Sequence, residues 1–266
     1  MDKLGPVAGA TRFVSVVTAV HAPSVRFLPA AYESLATQEM PAGWDWQWLV
    51  QEDGTEGHAR VLLPNDDRIS YATGRPLGPG IARTYALARA VGELIKVLDS
   101  DDVLTPGALA RDIAAVTGSP DIGWATCRAL DLMPDGSTVA YRDEPPAGPI
   151  ARGDVLRHWV EHDHRSPVHP ATLCIRRDLL LSLGGWMALP ASEDTGLLLA
   201  ADAVATGYFT AEAGLYYRKW PGQLTAHAAH IHPMEQHHRN SVIEARARLL
   251  AATFGDTWTF THEPIA

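Results

Sequence analysis

GELIKVLDSDDVLTPGAL, Gly92 to Leu109, runs an apolar stretch, Leu94-Ile95-Lys96-Val97-Leu98, directly into three carboxylates within four positions, Asp99, Asp101 and Asp102. The apolar stretch has the length and composition of a buried strand. Carboxylates this close repel one another and are costly to remove from water, so a set of them at a strand end calls for a positive partner. A divalent cation is the simplest one. A calcium loop is excluded, because Val103 takes the third ligand position, Leu104 that of the turn glycine and Ala110 that of the bidentate glutamate. The bland alternative is a solvated cluster ahead of a helix that Thr105 and Pro106 begin.

Working outward, the chain before this stretch alternates strand-like and helix-like runs. Phe13 to Val17 reads as a buried parallel strand, Leu28 to Thr37 as a helix, and WDWQWLVQEDG as a strand with Trp44, Trp46 and Trp48 on one face. Arg68 to Tyr71 is a short strand and Ile81 to Val91 a helix. This order predicts an α/β fold with a mostly parallel, Rossmann-type sheet flanked by helices. Ligands bind such sheets beyond the carboxyl ends of the strands, so Thr18 to His21, Glu52-Asp53-Gly54 and Asp99-Ser100-Asp101 should converge. After the carboxylates the pattern gives strands at Asp121 to Leu130, Thr138 to Tyr141 and Thr172 to Arg176. Helices follow at Asp154 to Glu161, Arg177 to Leu183, Ser192 to Thr206 with Ser192 as its cap, and Glu235 to Phe254.

Composition narrows the function. The 266 residues are 46% hydrophobic and 20% charged with a net charge of −9, which suits one globular domain and, with no basic run, makes nucleic acid an improbable partner. Cys127 and Cys174 lack any metal or disulfide spacing, and no apolar stretch of about 18 residues occurs, so a cytoplasmic protein without a transmembrane segment is expected.

The segments SVVTAVH (Ser15 to His21), AYESLATQ (Ala31 to Gln38), WLVQEDGTEG (Trp48 to Gly57) and GPGIARTYALARAVGELIKVLDSDDVLTPGAL (Gly78 to Leu109) together resemble the opening of family 2 glycosyltransferases with the GT-A fold. The likeness extends more weakly to about Arg218 through CIRRDLLLSLGGW and SEDTGLLLAA. It implies an inverting transferase that moves a sugar from a nucleoside-diphosphate donor, UDP favoured, to an acceptor hydroxyl with Mn²⁺ or Mg²⁺. Carried onto this sequence, Asp53 binds the base or ribose, with Glu52 replacing the family's first acid there. Thr18 and His21 lie at the turn under the base, Arg83 at a donor-binding arginine, Asp99 and Ser100 at the ribose or metal, and Asp101 is the principal metal ligand. Glu193-Asp194 follows Gly184-Gly185-Trp186 at the family's spacing, which implies Asp194 as catalytic base with Glu193 positioning it or the acceptor. Pure helix capping is the competing account.

The division that follows is 13–110 as the nucleotide-sugar half, 111–234 as the acceptor and catalytic half with a helical region on the acceptor side, and 235–254 as a C-terminal helix. Some relatives carry a metal-binding histidine where this chain has Lys219 and Trp220, which leaves His227 as a candidate to complete the metal site. The remaining histidines, including His158, His162, His164 and His169, read as structural before acceptor-binding. The acceptor expected is a small molecule, natural product or peptide, and a homo-oligomer through the last helix stays open. Competing readings are a sugar-1-phosphate nucleotidyltransferase, opposed by TAVHAPS where its phosphate loop would stand, a non-catalytic sugar-nucleotide-binding module, and a zinc hydrolase using the late histidines.

Overall fold

The computed structural model describes residues 11–141, 143–226 and 228–254. The first half contains β1 (Arg12–Val20), α1 (Leu28–Ala36), β2 (Trp44–Asp53), β3 (Ile69–Gly74), α2 (Pro79–Ala86), β4 (Leu94–Val97), β5 (Val103–Leu104) and α3 (Ala108–Thr117). The second contains β6 (Ile122–Leu132), β7 (Thr138–Ala140), β8 (Gly148–Ile150), α4 (Asp154–Glu161), β9 (Cys174–Arg176), α5 (Arg177–Ser182), α6 (Glu193–Val204), β10 (Thr206–Arg218), α7 (Ala228–Ile231) and α8 (Pro233–Phe254). The sheet runs β3-β2-β1-β4-β9-β6-β10-β5, with β7 on β6 and β8 on β10. β1 pairs in parallel with β2 and β4, as do β2 with β3 and β6 with β10. β9 joins the two parallel blocks and is antiparallel to both β4 and β6.

Strand alternation sends side chains into two cores, one on each face of this sheet. Val14, Val16, Trp46, Trp48, Leu94 and Leu98 pack with Leu28 and Leu35 of α1 and Leu109 and Ile113 of α3. Val17, Leu49, Ile95 and Val97 pack with α6, α4 and Ile243 and Ala247 of α8. α6 is buried from Gly196 to Val204, which suits its near-continuous apolar sequence. Lys96, the polar interruption of the central strand, is fully buried, and its ammonium bonds Asp112 of α3 and the carbonyl of Thr172, each at 2.7 Å. A buried amine tolerates that place only because both partners are present.

Two local expectations change. The helix expected to Val91 ends at Ala86 and passes into a 3₁₀ turn, Leu87–Arg89. Ser192 precedes α6 but does not cap it: its backbone is left-handed at φ 61° and its hydroxyl makes no capping bond. A left-handed non-glycine residue is held by its surroundings and not by local preference.

Asp202 of α6 is fully buried and accepts a 3.0 Å hydrogen bond from the Leu156 amide in the first turn of α4. Burial pushes its carboxyl up to about 7. Because the folded value lies above the unfolded value of about 3.9, this group's stabilisation is complete below about pH 4 and is lost as pH rises towards 7. Asp202→Asn removes that titration. Its melting temperature relative to wild type should therefore climb across this interval, by the equivalent of about 4 kcal/mol at most, and level off above it. A difference constant between about pH 4 and 8 in thermal melts would refute the assignment.

Candidate active site

The carboxyl ends of β1, β2 and β4 open into one cleft, as the order of elements predicted. His21, Asp53, Asp99, Ser100 and Asp101 line it from those ends, Arg83 from α2, and Glu193 and Asp194 from the start of α6. Its empty space, counted out to the open mouth, is about 770 Å³. Thr18 is the exception among the predicted residues. It lies fully buried beneath the cleft, where its hydroxyl donates to the Leu98 carbonyl at 2.6 Å and accepts from the Trp48 indole at 2.8 Å. Thr18 thus ties β1, β2 and the end of β4 together.

Arg83 joins the two acidic groups. Its guanidinium donates from Nη1 to Glu193 at 2.7 Å and from Nη2 to Asp99 at 2.5 Å, with the arginine and Glu193 side chains both 6% exposed. Gly80 makes this approach possible, since a Cβ there would stand 2.6 Å from the Met187 carbonyl and 2.9 Å from Glu193 Cγ. Burial and the Asp194 charge raise the Glu193 carboxyl, while Arg83 opposes the rise. Asp194 is raised by burial, against Arg83 and the Thr195 amide, which donates to its Oδ1 at 2.6 Å. Glu193 is bound by Arg83 and the Ser192 hydroxyl makes no cap, so a reciprocal capping box is not formed by this acidic pair.

At the end of β4 the three aspartates differ. Asp102 is buried and accepts from the Arg218 amide at 2.9 Å, which leaves its Oδ2 without a partner; burial, then Asp101 and Asp99, push its carboxyl well up. Asp101 faces the cleft, raised by burial and by the Asp99 charge. Its Oδ2 accepts a 2.6 Å hydrogen bond from the Trp220 indole. Indole is a donor only, so Trp220 orients Asp101 and cannot itself bind a cation. Phe27, 5.2 Å from the Trp220 ring, and Arg26, 4.8 Å above it, pack the indole in place. The candidate His227 lies outside the described residues.

Oxygen-only donors, Asp101 beside Asp99 and a buried orphan oxygen on Asp102, fit a hard divalent cation such as Mg²⁺ or Mn²⁺. Among the described residues, the group of three with ligand atoms within 4.8 Å of one another is instead Glu52, Glu56 and His58. Glu52 is already saturated there, accepting from the His58 and Ala59 amides at 3.0 Å and from the Tyr71 hydroxyl at 2.6 Å. The glutamate that replaces the family's first acid therefore folds the 54–59 turn.

Asp53 accepts from the Leu77 and Gly78 amides at 2.7 and 3.1 Å, fixing the loop that leads into α2. The Ser100 and Ser24 hydroxyls share a 2.7 Å bond, and Ser24 also reaches the His21 ring at 3.1 Å, so the turn after β1 is fastened to the end of β4. Tyr217, Gln223 and Thr225 line the cleft without having been singled out from the sequence, and it is also lined by His230, from the late histidine segment, and by His169, which reads from the sequence as structural before acceptor-binding. The His169 imidazole is lowered to about 4 by burial and by Lys219, and it is neutral at physiological pH. No local pattern marks it, because it reaches the cleft only through the pairing of β9 with β4.

Comparison with known proteins identifies the family and the fold. Residues 16–163, more than half of the chain, match the model of glycosyl transferase family 2. Among solved structures, S. aureus TarS 1–349 superposes with a TM-score of 0.64 at 19% identity, covering 92% of this chain and 71% of that one. TarS 1–349 in complex with UDP-GlcNAc gives a TM-score of 0.66, also at 19% identity, covering 92% and 72%. A search of curated proteins finds no match. Among the described residues no helix is long and apolar enough to cross a membrane. The family match and the shared GT-A fold together make the chain a glycosyltransferase that belongs to glycosyl transferase family 2.

Proposed function

We propose that the enzyme transfers a sugar, with inversion, from a nucleoside-diphosphate donor to an acceptor hydroxyl, with UDP as the favoured nucleotide. The observation that carries this reading is the Arg83 bridge, which sets the Asp99–Asp101 carboxylates and the Glu193–Asp194 pair in one cleft. A diphosphate leaving group needs positive charge and an attacking hydroxyl needs a base, and the two must lie on opposite sides of the sugar for direct displacement. Asp101, assisted by Asp99, would hold the divalent cation. When bound, that ion supplies charge that stabilises the departing diphosphate. Asp194 takes the proton of the attacking hydroxyl, and Glu193, held by Arg83, fixes the start of α6 behind it. His21, Ser100 and Asp53 line the nucleotide side.

In this scheme 13–110 forms the nucleotide-sugar half and 111–234 the acceptor and catalytic half, with α8 packed on α6 across its back. The buried, unpaired thiols of Cys127 and Cys174 agree with a cytoplasmic setting. The binding test is calorimetric titration of UDP, GDP and dTDP, with and without Mn²⁺. Wild type is expected to bind UDP more tightly with the metal, and Asp101→Ala to lose that gain. A folded protein that binds none of the three would overturn the proposal.

A further inference from the structure

His169 stands just ahead of a 3₁₀ turn, Pro170–Thr172, that leads into β9. Its ring is fixed from three directions. Nδ1 accepts from the Ala171 amide at 3.3 Å, the Tyr217 ring lies 4.5 Å away at 48°, and the Tyr141 ring meets it edge-on at 5.5 Å and 75°. A ring nitrogen that accepts from a backbone amide carries no proton, so a neutral imidazole held this way bears its hydrogen on Nε2. Among the described residues no hydrogen bond to Nε2 is made, and the residue lines the cleft. The outcome is a preoriented N–H donor with no acceptor of its own.

Its place in the cleft indicates what that acceptor is. The neighbouring Tyr217 phenol is raised far above its usual value by burial and by the charges of Asp102, Asp99, Asp101 and Asp194. His169 and Tyr217 line the same cleft as Asp99, Asp101, Glu193 and Asp194. In a direct displacement the leaving diphosphate lies at Asp101 and the attacking hydroxyl at Asp194, so the transferred sugar spans the gap. Sugars present hydroxyl and, when acetamido-substituted, carbonyl oxygens, which a fixed neutral donor can read without the desolvation burden of a charge.

We infer that His169 is a donor-sugar-binding residue, donating from Nε2 to a hydroxyl or carbonyl oxygen of the transferred sugar. The inference rests on the nucleotide-sugar reading above. It is tested with two variants that separate the ring nitrogens: His169→Asn keeps an oxygen near Nδ1 for the Ala171 amide but has nothing at Nε2, and His169→Gln restores an N–H donor near Nε2. Wild type and both variants are titrated with UDP and with UDP-GlcNAc, UDP-glucose, UDP-galactose and UDP-glucuronate in Mn²⁺.

The expected result is that His169→Asn binds UDP as wild type does but loses about tenfold in affinity for the sugar nucleotide that wild type prefers, with part of that loss recovered in His169→Gln. An unchanged ratio of sugar-nucleotide to UDP affinity in His169→Asn would overturn the inference. So would an equal weakening for UDP and sugar nucleotide, since that marks a purely structural histidine. Failure of wild type to bind UDP at all strikes the reading of the whole site, and the inference falls with it.

Discussion

Asp194→Asn is expected to lower kcat by about 10³ while leaving metal-dependent UDP binding within about twofold of wild type. The substitution preserves shape, and its side-chain oxygen still accepts from the Thr195 amide that now binds Asp194 Oδ1 at 2.6 Å. Arg83 keeps both of its carboxylate partners, Glu193 and Asp99, so the framework stands and only the proton acceptor is gone. The pH profile gives an independent check. Burial and the Asp99 charge hold the Asp194 carboxyl above its ordinary range. The base is active when ionised, so activity should rise with pH through a limb displaced upward from about pH 4. Full turnover in Asp194→Asn, with loss in Glu193→Gln, would transfer the role of base to Glu193.

Arg83→Met should damage stability and turnover together. Glu193 and Asp99 would be left as uncompensated carboxylates, one of them almost wholly buried, and removing one member of a buried ionic group costs about 3–5 kcal/mol. For a chain of this size that corresponds to a fall of roughly 10 °C in melting temperature. Activity should fall further than stability accounts for, because the start of α6 and the end of β4 lose their common tie. Arg83→Lys retains the charge but not the fork, so it should recover part of the stability and little of the turnover. Differential scanning calorimetry with transfer assays on the surviving folded fraction separates the two effects. A melting temperature in Arg83→Met within about 2 °C of wild type would show that Arg83 does not carry the load assigned to it.

The divergence at Glu52 shows where a resemblance stops being informative. Against the family pattern, a glutamate for the first acid raises a question about base recognition. In the fold its longer side chain reaches back to the His58 and Ala59 amides and forward to Tyr71, which is a turn-forming function. Thr18 is a similar case. Its position in the order of motifs puts it at the turn under the base, but strand alternation turns its hydroxyl into the sheet, between Trp48 and Leu98.

What the sequence by itself determined is the part of this protein written in short-range pattern. The strand before Asp99 and the β1-to-β4 order follow from apolar or alternating runs of four to ten residues bounded by polar turns. The convergence of His21, Asp53 and Asp99–Asp101 follows from the rule that parallel strands end on one side. The tertiary structure alone decided what depends on contacts across the chain. Arg83 and Glu193 lie 110 positions apart, and Asp101 and Trp220 are separated by 119, yet each pair is joined at hydrogen-bond distance. His169 enters the cleft because a three-residue strand inserts antiparallel between β4 and β6. No local periodicity encodes such pairings, since they arise from which surfaces meet when both cores close on the sheet, and those meetings fix the partner, ionisation and direction of each acidic side chain.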